Sequence, residues 1–210
     1  STDSTGHGEG NVYLGFVEVT TDAGGNASIN TTLAAAGLGY GAWVTATATE
    51  KTGASSHGST SEFGANVQAA DTAPVLTVAA GAAYTENAAA VALAPGATVV
   101  DTELAAAGHY AGATLTLQRS GGANAQDLFA ATGGALSALT QGGSLVYGGT
   151  NVGTVTTNSG GQLVLTFNAN ATQARVNGVL SAIGYANGSD DPPASVVIAW
   201  SFSDGNTGAQ

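Results

Sequence analysis

Acidic residues in loop-like stretches are the side chains of this sequence best suited to chemistry. They are Asp71, Glu86, Asp101, Glu103, Asp190, Asp191 and Asp204, with the amide of Asn206 beside the last of them. Calcium takes about six to eight oxygen ligands from carboxylates, amides and backbone carbonyls. If the chain folds as a β-sandwich, these segments meet at its ends, and we predict a structural calcium ion there. The alternative is that they are turn residues without an ion, since Asp is common in turns.

Catalytic patterns are weak by comparison. Asp190 and Asp191 are adjacent, so on an extended backbone their side chains point apart and cannot flank one glycosidic bond. The sequence contains no G-x-S-x-G nucleophile elbow. His7, His57 and His109 are far apart and lack H-E-x-x-H spacing. We therefore predict that the chain is not an enzyme and has no catalytic residues.

The charge balance excludes several partners. Among 210 residues, 3 are Lys or Arg and 14 are Asp or Glu, which gives a formal net charge of −11. Such a chain cannot neutralise phosphates, so nucleic acids and anionic membrane surfaces are not expected partners. No apolar run is long enough to cross a bilayer, and with no Cys there is no disulfide or thiolate site.

A polar hinge at 65–78 separates two predicted domains, 1–70 and 71–210. Asp71 lies in this hinge, and Pro74 follows it at the start of an alternating run, where its missing N–H is not needed. In the first domain, stretches such as 11–21 and 27–33 are rich in Thr, Val and aromatic residues between Gly and Asn turns. This pattern predicts a small antiparallel β-sandwich.

The second domain is predicted to contain further strands and one short helix at about 171–183. Within it, Val176, Val179, Leu180 and Ile183 follow helical spacing. Asn170 with Gln173 suggests a capping box, and Gly184 suggests the end of the helix. Near its end, 196–202 alternates large and small side chains, which predicts a half-buried strand with Trp200 in the core. A turn at 204–206 follows it.

Aromatic side chains offer a second kind of site. Tyr13, Tyr40, Trp43 and Tyr110 do not fall obviously into core strands and could form a platform for sugars. Trp43 lies in an alternating stretch, so burial in the core is the favoured reading for it. These residues support the alternative function of a carbohydrate-binding or accessory module of a secreted enzyme.

Several motifs resemble tandem repeats of large bacterial surface proteins. "NATQARVNGVLSAIGYANGSDDPPASVVIAWSFSDGN" and the opening "DTAPVLTV" are similar to a cadherin-like or Ig-like repeat of giant adhesins and RTX-type exoproteins, over 71–210. "VEVTTDAGGNASI" and "WVTATATEKTGASSHGSTSEF" resemble an Ig-like extension domain of the same kind of protein. The resemblance implies joints stiffened by calcium and one further strand after "SDGN", which this chain lacks.

Together these observations predict an all-β protein of two consecutive antiparallel Ig-like or cadherin-like β-sandwiches, the second with one short helix. We expect an extracellular module of a bacterial surface adhesin or fibre, which extends and stiffens that protein. Its expected partners are neighbouring repeats or copies of itself, with surface glycans or proteins as further candidates. Because an open sheet edge templates strand pairing, head-to-tail polymerisation by strand addition is an additional hypothesis.

Overall fold

The computed structural model describes residues 10–31, 33, 41–79 and 81–206. The chain divides into two compact units, unit 1 (Ser1–Ala70) and unit 2 (Asp71–Gln210). The described secondary structure is mostly β-strand in antiparallel sheets, with two short helices in unit 2. The prediction of an all-β class is confirmed at this level.

Unit 1 contains four short strands among its described residues. They are β1 (Trp43–Val44), β2 (Thr49–Lys51), β3 (His57–Thr60) and β4 (Val67–Gln68). β1 pairs with β4, and β2 pairs with β3. The predicted strand at 11–21 is absent, and so is the described part of the one at 27–33. The preference of Val, Thr and Tyr for strands depends on packing against neighbouring strands, and none of the described strands pairs with these residues.

The aromatic residues of unit 1 correct one prediction. Trp43 is 53% exposed, so its assignment to the core was wrong. Alternation along a strand buries a side chain only where a second layer covers that face, and β1 is a two-residue strand paired only with β4. Tyr13 is also exposed, whereas Tyr40 lies outside the described residues.

The described residues of unit 2 form ten strands and two helices. In chain order they are β5 (Val75–Thr77), β6 (Val91–Ala92), β7 (Thr98–Val100), α1 (Thr102–Ala107), β8 (Thr114–Arg119), β9 (Asp127–Ala131), β10 (Ser144–Tyr147), β11 (Thr150–Ser159), β12 (Gln162–Phe167), α2 (Gln173–Ser181), β13 (Ile183–Asn187) and β14 (Ile198–Ser203). A five-stranded sheet has the order β10-β11-β12-β8-β14, and a three-stranded sheet has the order β6-β13-β9. β5 and β7 form a separate pair.

One hydrophobic core joins both larger sheets of unit 2 to α2. On β8 and β12, alternate residues are Leu, so Leu115 and Leu117 lie opposite Leu165 and Leu163 on one buried face. The three-stranded sheet and α2 add the buried side chains Phe129, Ile183, Tyr185, Val176, Val179 and Leu180. Strand alternation and helical spacing therefore bury the residues that the sequence indicated, and Trp200 packs half-buried against this core.

The helices of unit 2 differ from prediction in number and in their ends. α2 is present, but its N-cap is Thr172, and Gly184 lies in β13. At Gly184 a Cβ atom would lie 2.3 Å from the side chain of Thr132, so this glycine serves close strand packing. The second helix, α1, was missed because it is only six residues long and has no apolar stripe.

Candidate metal centre

The start of α1 places two of the predicted acidic residues. Asp101 is the N-cap residue, with an extended backbone, and its Oδ1 accepts a hydrogen bond of 2.7 Å from the backbone N–H of Leu104. This is the usual role of Asp at a helix start, and it leaves the other carboxylate oxygen free for another contact. Glu103 lies in the first turn of the same helix. The local sequence Asp-Thr-Glu therefore holds both carboxylates at one helix end.

The turn after β14 places a third carboxylate. Asp204 accepts a hydrogen bond of 2.8 Å at Oδ1 from the backbone N–H of Asn206, as expected of Asp at the start of a turn. Gly205 adopts a φ of +88°, a conformation that side chains rarely permit. A Cβ atom there would lie 2.7 Å from the carbonyl oxygen of Gly112. Glycine is therefore required for this turn to pack against the rest of unit 2.

Asp71, the first residue of unit 2, completes the group. The side-chain amide of Asn206 donates a hydrogen bond of 2.8 Å to Oδ1 of Asp71. Asp204 and Glu103 lie close enough to Asp71 to act on its charge, and all three act on Asp101. We call Asp71, Asp101, Glu103 and Asp204, together with Asn206, the carboxylate cluster.

Each carboxylate in this cluster has one buried oxygen without a hydrogen-bond partner. These atoms are Asp71 Oδ2, Asp101 Oδ2, Glu103 Oε2 and Asp204 Oδ2. In the part of the chain that the structure describes, they are the only buried side-chain polar atoms of this kind. Asp101 is 1% exposed and Asp204 is 2% exposed. Buried polar atoms are normally paired, so four unpaired oxygens in one place require an explanation such as an ion.

The repulsion between the carboxylates of the cluster also calls for a bound proton or cation. Burial raises the pKa of Asp101 above its usual value, and the nearby carboxylates of Glu103, Asp204 and Asp71 raise it further. The pKa of Asp71 is raised by burial and by Asp204 and Glu103, against the lowering effect of the Asn206 amide. Two means of relieving this repulsion are the uptake of protons and the binding of a cation.

The donor atoms fit calcium. They are carboxylate and amide oxygens, without a nitrogen or sulfur ligand, which is the set that hard cations prefer. Within the described ranges, no three His, Cys, Asp or Glu side chains already stand in a metal-ligating arrangement. Calcium binding would therefore require these side chains to rearrange around the ion. Asp101 and Asp204 would supply the most buried ligands.

Not all of the predicted ligands belong to this cluster. Glu86 lies exposed in a turn, where its Oε1 accepts a hydrogen bond from the amide of Asn87. Asp190 and Asp191 lie exposed in the loop before β14. None of these three is among the groups that act on the charge of Asp71 or Asp101.

Sequence reasoning missed two residues that support the cluster. The hydroxyl oxygen of Tyr110 accepts a hydrogen bond of 3.3 Å from the backbone N–H of Asp101. Tyr110 is fully buried and packs edge-to-face on Phe202 of β14. It is therefore a core residue and cannot be part of a sugar platform. Gly112 is the second, because its carbonyl closely approaches the turn at Gly205. No sequence pattern marks either contact.

A second buried polar group has all its partners. Arg119 donates two hydrogen bonds to the carboxylate of Asp127, of 2.9 Å from Nε and 2.6 Å from Nη2. Tyr185 and Asn187 each donate a further bond to Oδ1 of Asp127. Because this charge is neutralised and hydrogen-bonded, its role is structural and it has no spare ligand capacity.

The histidines of the described residues do not add to either group. His57 is exposed in β3, and Nδ1 of His109 accepts a hydrogen bond from the backbone N–H of Ala111. His7 lies outside the described residues.

The chain was compared with models of protein families, with curated proteins and with solved structures. None of the three comparisons found a match. Among the described residues, no helix combines the length and apolar character needed to span a membrane.

Proposed function

We propose that this chain is a structural module of an extracellular bacterial surface protein, and that calcium bound at the carboxylate cluster stiffens it. The proposal depends on one observation: four carboxylates of unit 2 that act on one another's charge each have a buried oxygen without a hydrogen-bond partner. A catalytic role has no comparable support. We assign the site a structural role, because a bound ion would link the beginning and the end of one unit.

The position of the cluster explains what an ion would do there. Asp71 is the residue at which unit 2 begins, and Asp204 directly follows β14, the last described strand. An ion that binds both would tie the start of the unit to its end and to the N-terminus of α1. In a protein made of successive units, such a tie fixes the path of the chain where it enters and leaves each unit.

We also propose that unit 2 is a cadherin-like β-sandwich. The five-stranded and three-stranded sheets share one core, which is the arrangement that two packed β-layers require. Extracellular calcium modules have dissociation constants of about 0.1–1 mM, and we expect an affinity in this range. The low content of charged residues, 8%, is also typical of secreted β-proteins.

The test is calcium binding with matched variants. Isothermal titration and thermal unfolding are measured for the natural chain, for Asp101→Asn/Asp204→Asn and for the control Asp190→Asn/Asp191→Asn, which removes two exposed charges outside the cluster. At about ten times the dissociation constant, calcium should stabilise the natural chain and the control by about 1.4 kcal/mol. The cluster variant should not respond. An equal response of all three chains would contradict the proposed ligands.

A further inference from the structure

A groove with uncharged walls lies in unit 2 beside β14. Its volume is about 910 Å³. One wall is formed by 192–198 and Trp200, the other by Leu76 and the described residues of 78–84, and Leu93, Tyr185 and Asn187 also line it. No charged side chain lines the groove, although the whole chain carries a net charge of −11. Apolar side chains of a partner can therefore enter it without burying a charge.

The groove adjoins an unpaired sheet edge. Among the described residues, β14 pairs with β8 on one side and with no strand on the other, and β5 pairs only with β7. Val197 is 69% exposed next to this edge, and Val78 is exposed on the opposite wall. Unpaired N–H and C=O groups beside exposed apolar side chains form a template for another strand.

Unit 1 contains an uncharged segment whose apolar side chains are suited to this groove and edge. Residues 11–17, "NVYLGFV", have the composition of a strand, yet no strand forms there. In an extended conformation Val12, Leu14 and Phe16 lie on one face. Val12, Tyr13 and Phe16 are exposed, Phe16 by 75%. We call residues 11–17 the donor segment.

We infer that the donor segment of one copy of this chain adds as a strand to the open edge of β14 in a second copy. Val12, Leu14 and Phe16 then enter the groove. This inference deepens the proposed structural function, because it names the partner as the chain itself. Since every copy has one donor segment and one groove, the contact is head-to-tail and continues from copy to copy as an open filament.

The absence of charge on both surfaces and the pairing of backbone groups favour a second copy as the occupant. Two chains of net charge −11 repel each other over most of their surfaces, but the groove and the donor segment are both uncharged. A Phe or Tyr side chain buries about 150–250 Å². With Val12 and Leu14, the side of the donor segment that faces the groove has Phe16 as its largest side chain and offers an area on the order of 400 Å². The backbone hydrogen bonds of an added strand supply the rest of the contact. Salt should strengthen this association, because it screens the repulsion between copies.

A complementation experiment tests head-to-tail addition. The donor variant is Val12→Lys/Phe16→Lys, and the groove variant is Val78→Lys/Val197→Lys. All four residues are exposed, so both variants should fold. Lys makes the net charge less negative, so general repulsion cannot explain a loss of association. The control is Val67→Lys/Leu128→Lys, which changes two exposed apolar residues elsewhere.

Light scattering at a protein concentration on the order of 100 µM gives the readout, because a concentration this high detects complexes with dissociation constants in the micromolar range. The natural chain and the control should form polymers, and each variant alone should stay monomeric. An equal mixture of the two variants should form a complex of twice the monomer mass and no larger species. A monomeric natural chain, or polymers formed by either variant alone, would overturn the inference.

A cross-linking measurement identifies the contact directly. The natural chain has no Cys, so a short bis-maleimide can react only at introduced residues. Mixed copies of Phe16→Cys and Val197→Cys should give a heterodimeric product, and Phe16→Cys with Leu128→Cys should not. Equal yields from both mixtures would contradict the assigned groove. Calcium binding is measured separately by titration, so failure of self-assembly would leave the proposed calcium site standing.

Discussion

The side-chain amide of Asn206 donates a 2.8 Å hydrogen bond to Oδ1 of Asp71, a residue 135 positions earlier in the chain. This bond joins the turn after β14 to the first residue of unit 2. It satisfies only one oxygen of Asp71, and the other is among the four partnerless carboxylate oxygens. The contact therefore holds Asp71 in the cluster but leaves the negative charges of the carboxylates uncompensated. Measurements of stability can detect these uncompensated charges.

Removal of one charge from the cluster should stabilise the chain when calcium is absent. Asp204→Asn relieves repulsion between buried carboxylates and introduces an amide N–H donor beside their unpaired oxygens. An unsatisfied buried polar group costs about 1–3 kcal/mol, so in chelator we expect the free energy of unfolding to rise by about 1 kcal/mol. Denaturant unfolding measures it, with Asp191→Asn, an exposed loop residue, as the control. A loss of stability in chelator would show that Asp204 is not under electrostatic strain.

The stability of the chain should depend on pH with opposite signs in chelator and in calcium. The pKa values of Asp71 and Asp101 are raised above 3.8 in the folded chain, first by burial. The folded state therefore binds protons that the unfolded state releases, and in chelator the cluster's contribution to stability should increase as pH falls towards about 4. Bound calcium requires deprotonated carboxylates, so the stabilisation by calcium should decrease over the same range.

Thermal unfolding between about pH 4 and pH 7.5 measures both effects. Asp22 acts in the opposite sense, because hydrogen bonds from the backbone N–H groups of Asn26 and Gly24 lower its pKa. Its contribution is the same in chelator and in calcium, so it cancels in that comparison. The control is Asp101→Asn/Asp204→Asn. It should lose most of the pH dependence of stability in chelator, and calcium should not stabilise it at any pH. A calcium effect that grows as pH falls would contradict carboxylate ligation.

The buried ion pair of unit 2 should be sensitive to the loss of one partner. Arg119→Ala leaves the carboxylate of Asp127, whose side chain is fully buried, without its neutralising charge. We expect a loss of about 3–5 kcal/mol in the free energy of unfolding, because an uncompensated buried charge is costly. The control is Arg175→Ala, which removes an Arg whose bond, to the backbone oxygen of Asn170, is exposed. Equal losses for the two variants would show that the buried pair contributes no more to stability than the exposed hydrogen bond of Arg175.

The turn at Gly205 should tolerate no side chain. Gly205→Ala forces a Cβ atom to within 2.7 Å of the Gly112 carbonyl and also strains the positive φ. Gly121 has a similar φ of +90° but no atom within 4 Å of its Cβ position, so Gly121→Ala isolates the cost of φ alone. Both variants should lose about 1 kcal/mol to backbone strain. Only Gly205→Ala should lose more and bind calcium more weakly, which unfolding and titration together can measure.

Helices and strands of unit 2 could be predicted from the sequence where the spacing of apolar residues indicates which face of the element is buried. The spacing of Val176, Val179 and Leu180 correctly indicated α2, and the alternation around Trp200 correctly indicated β14. The start of α1 also has a local signal, since Asp101 caps it and Gly108 ends it in a left-handed conformation. The helix was missed because hydrophobic periodicity, the main criterion, is absent from six residues rich in Ala.

Unit 1 shows where strand propensity is insufficient. Residues 11–17 have the composition of a strand, but they remain unpaired, because pairing depends on a neighbour with a free edge and not on the segment itself. Likewise, alternation around Trp43 suggested burial, but that side chain is 53% exposed. Such outcomes depend on contacts between segments, which composition does not encode.

The sequence by itself determined the all-β class, α2, the alternating face of β14 and the set of acidic residues from which a cation site can form. The tertiary structure alone decided which of these acids meet. Asp71, Asp101 and Asp204 converge because β14 pairs with β8 and ends near Gly112, while α1 begins directly after β7. Glu86, Asp190 and Asp191 have the same chemistry but lie in other loops. A local sequence pattern indicates whether a residue of one helix or strand is buried. A site made of distant segments depends instead on how the strands pair.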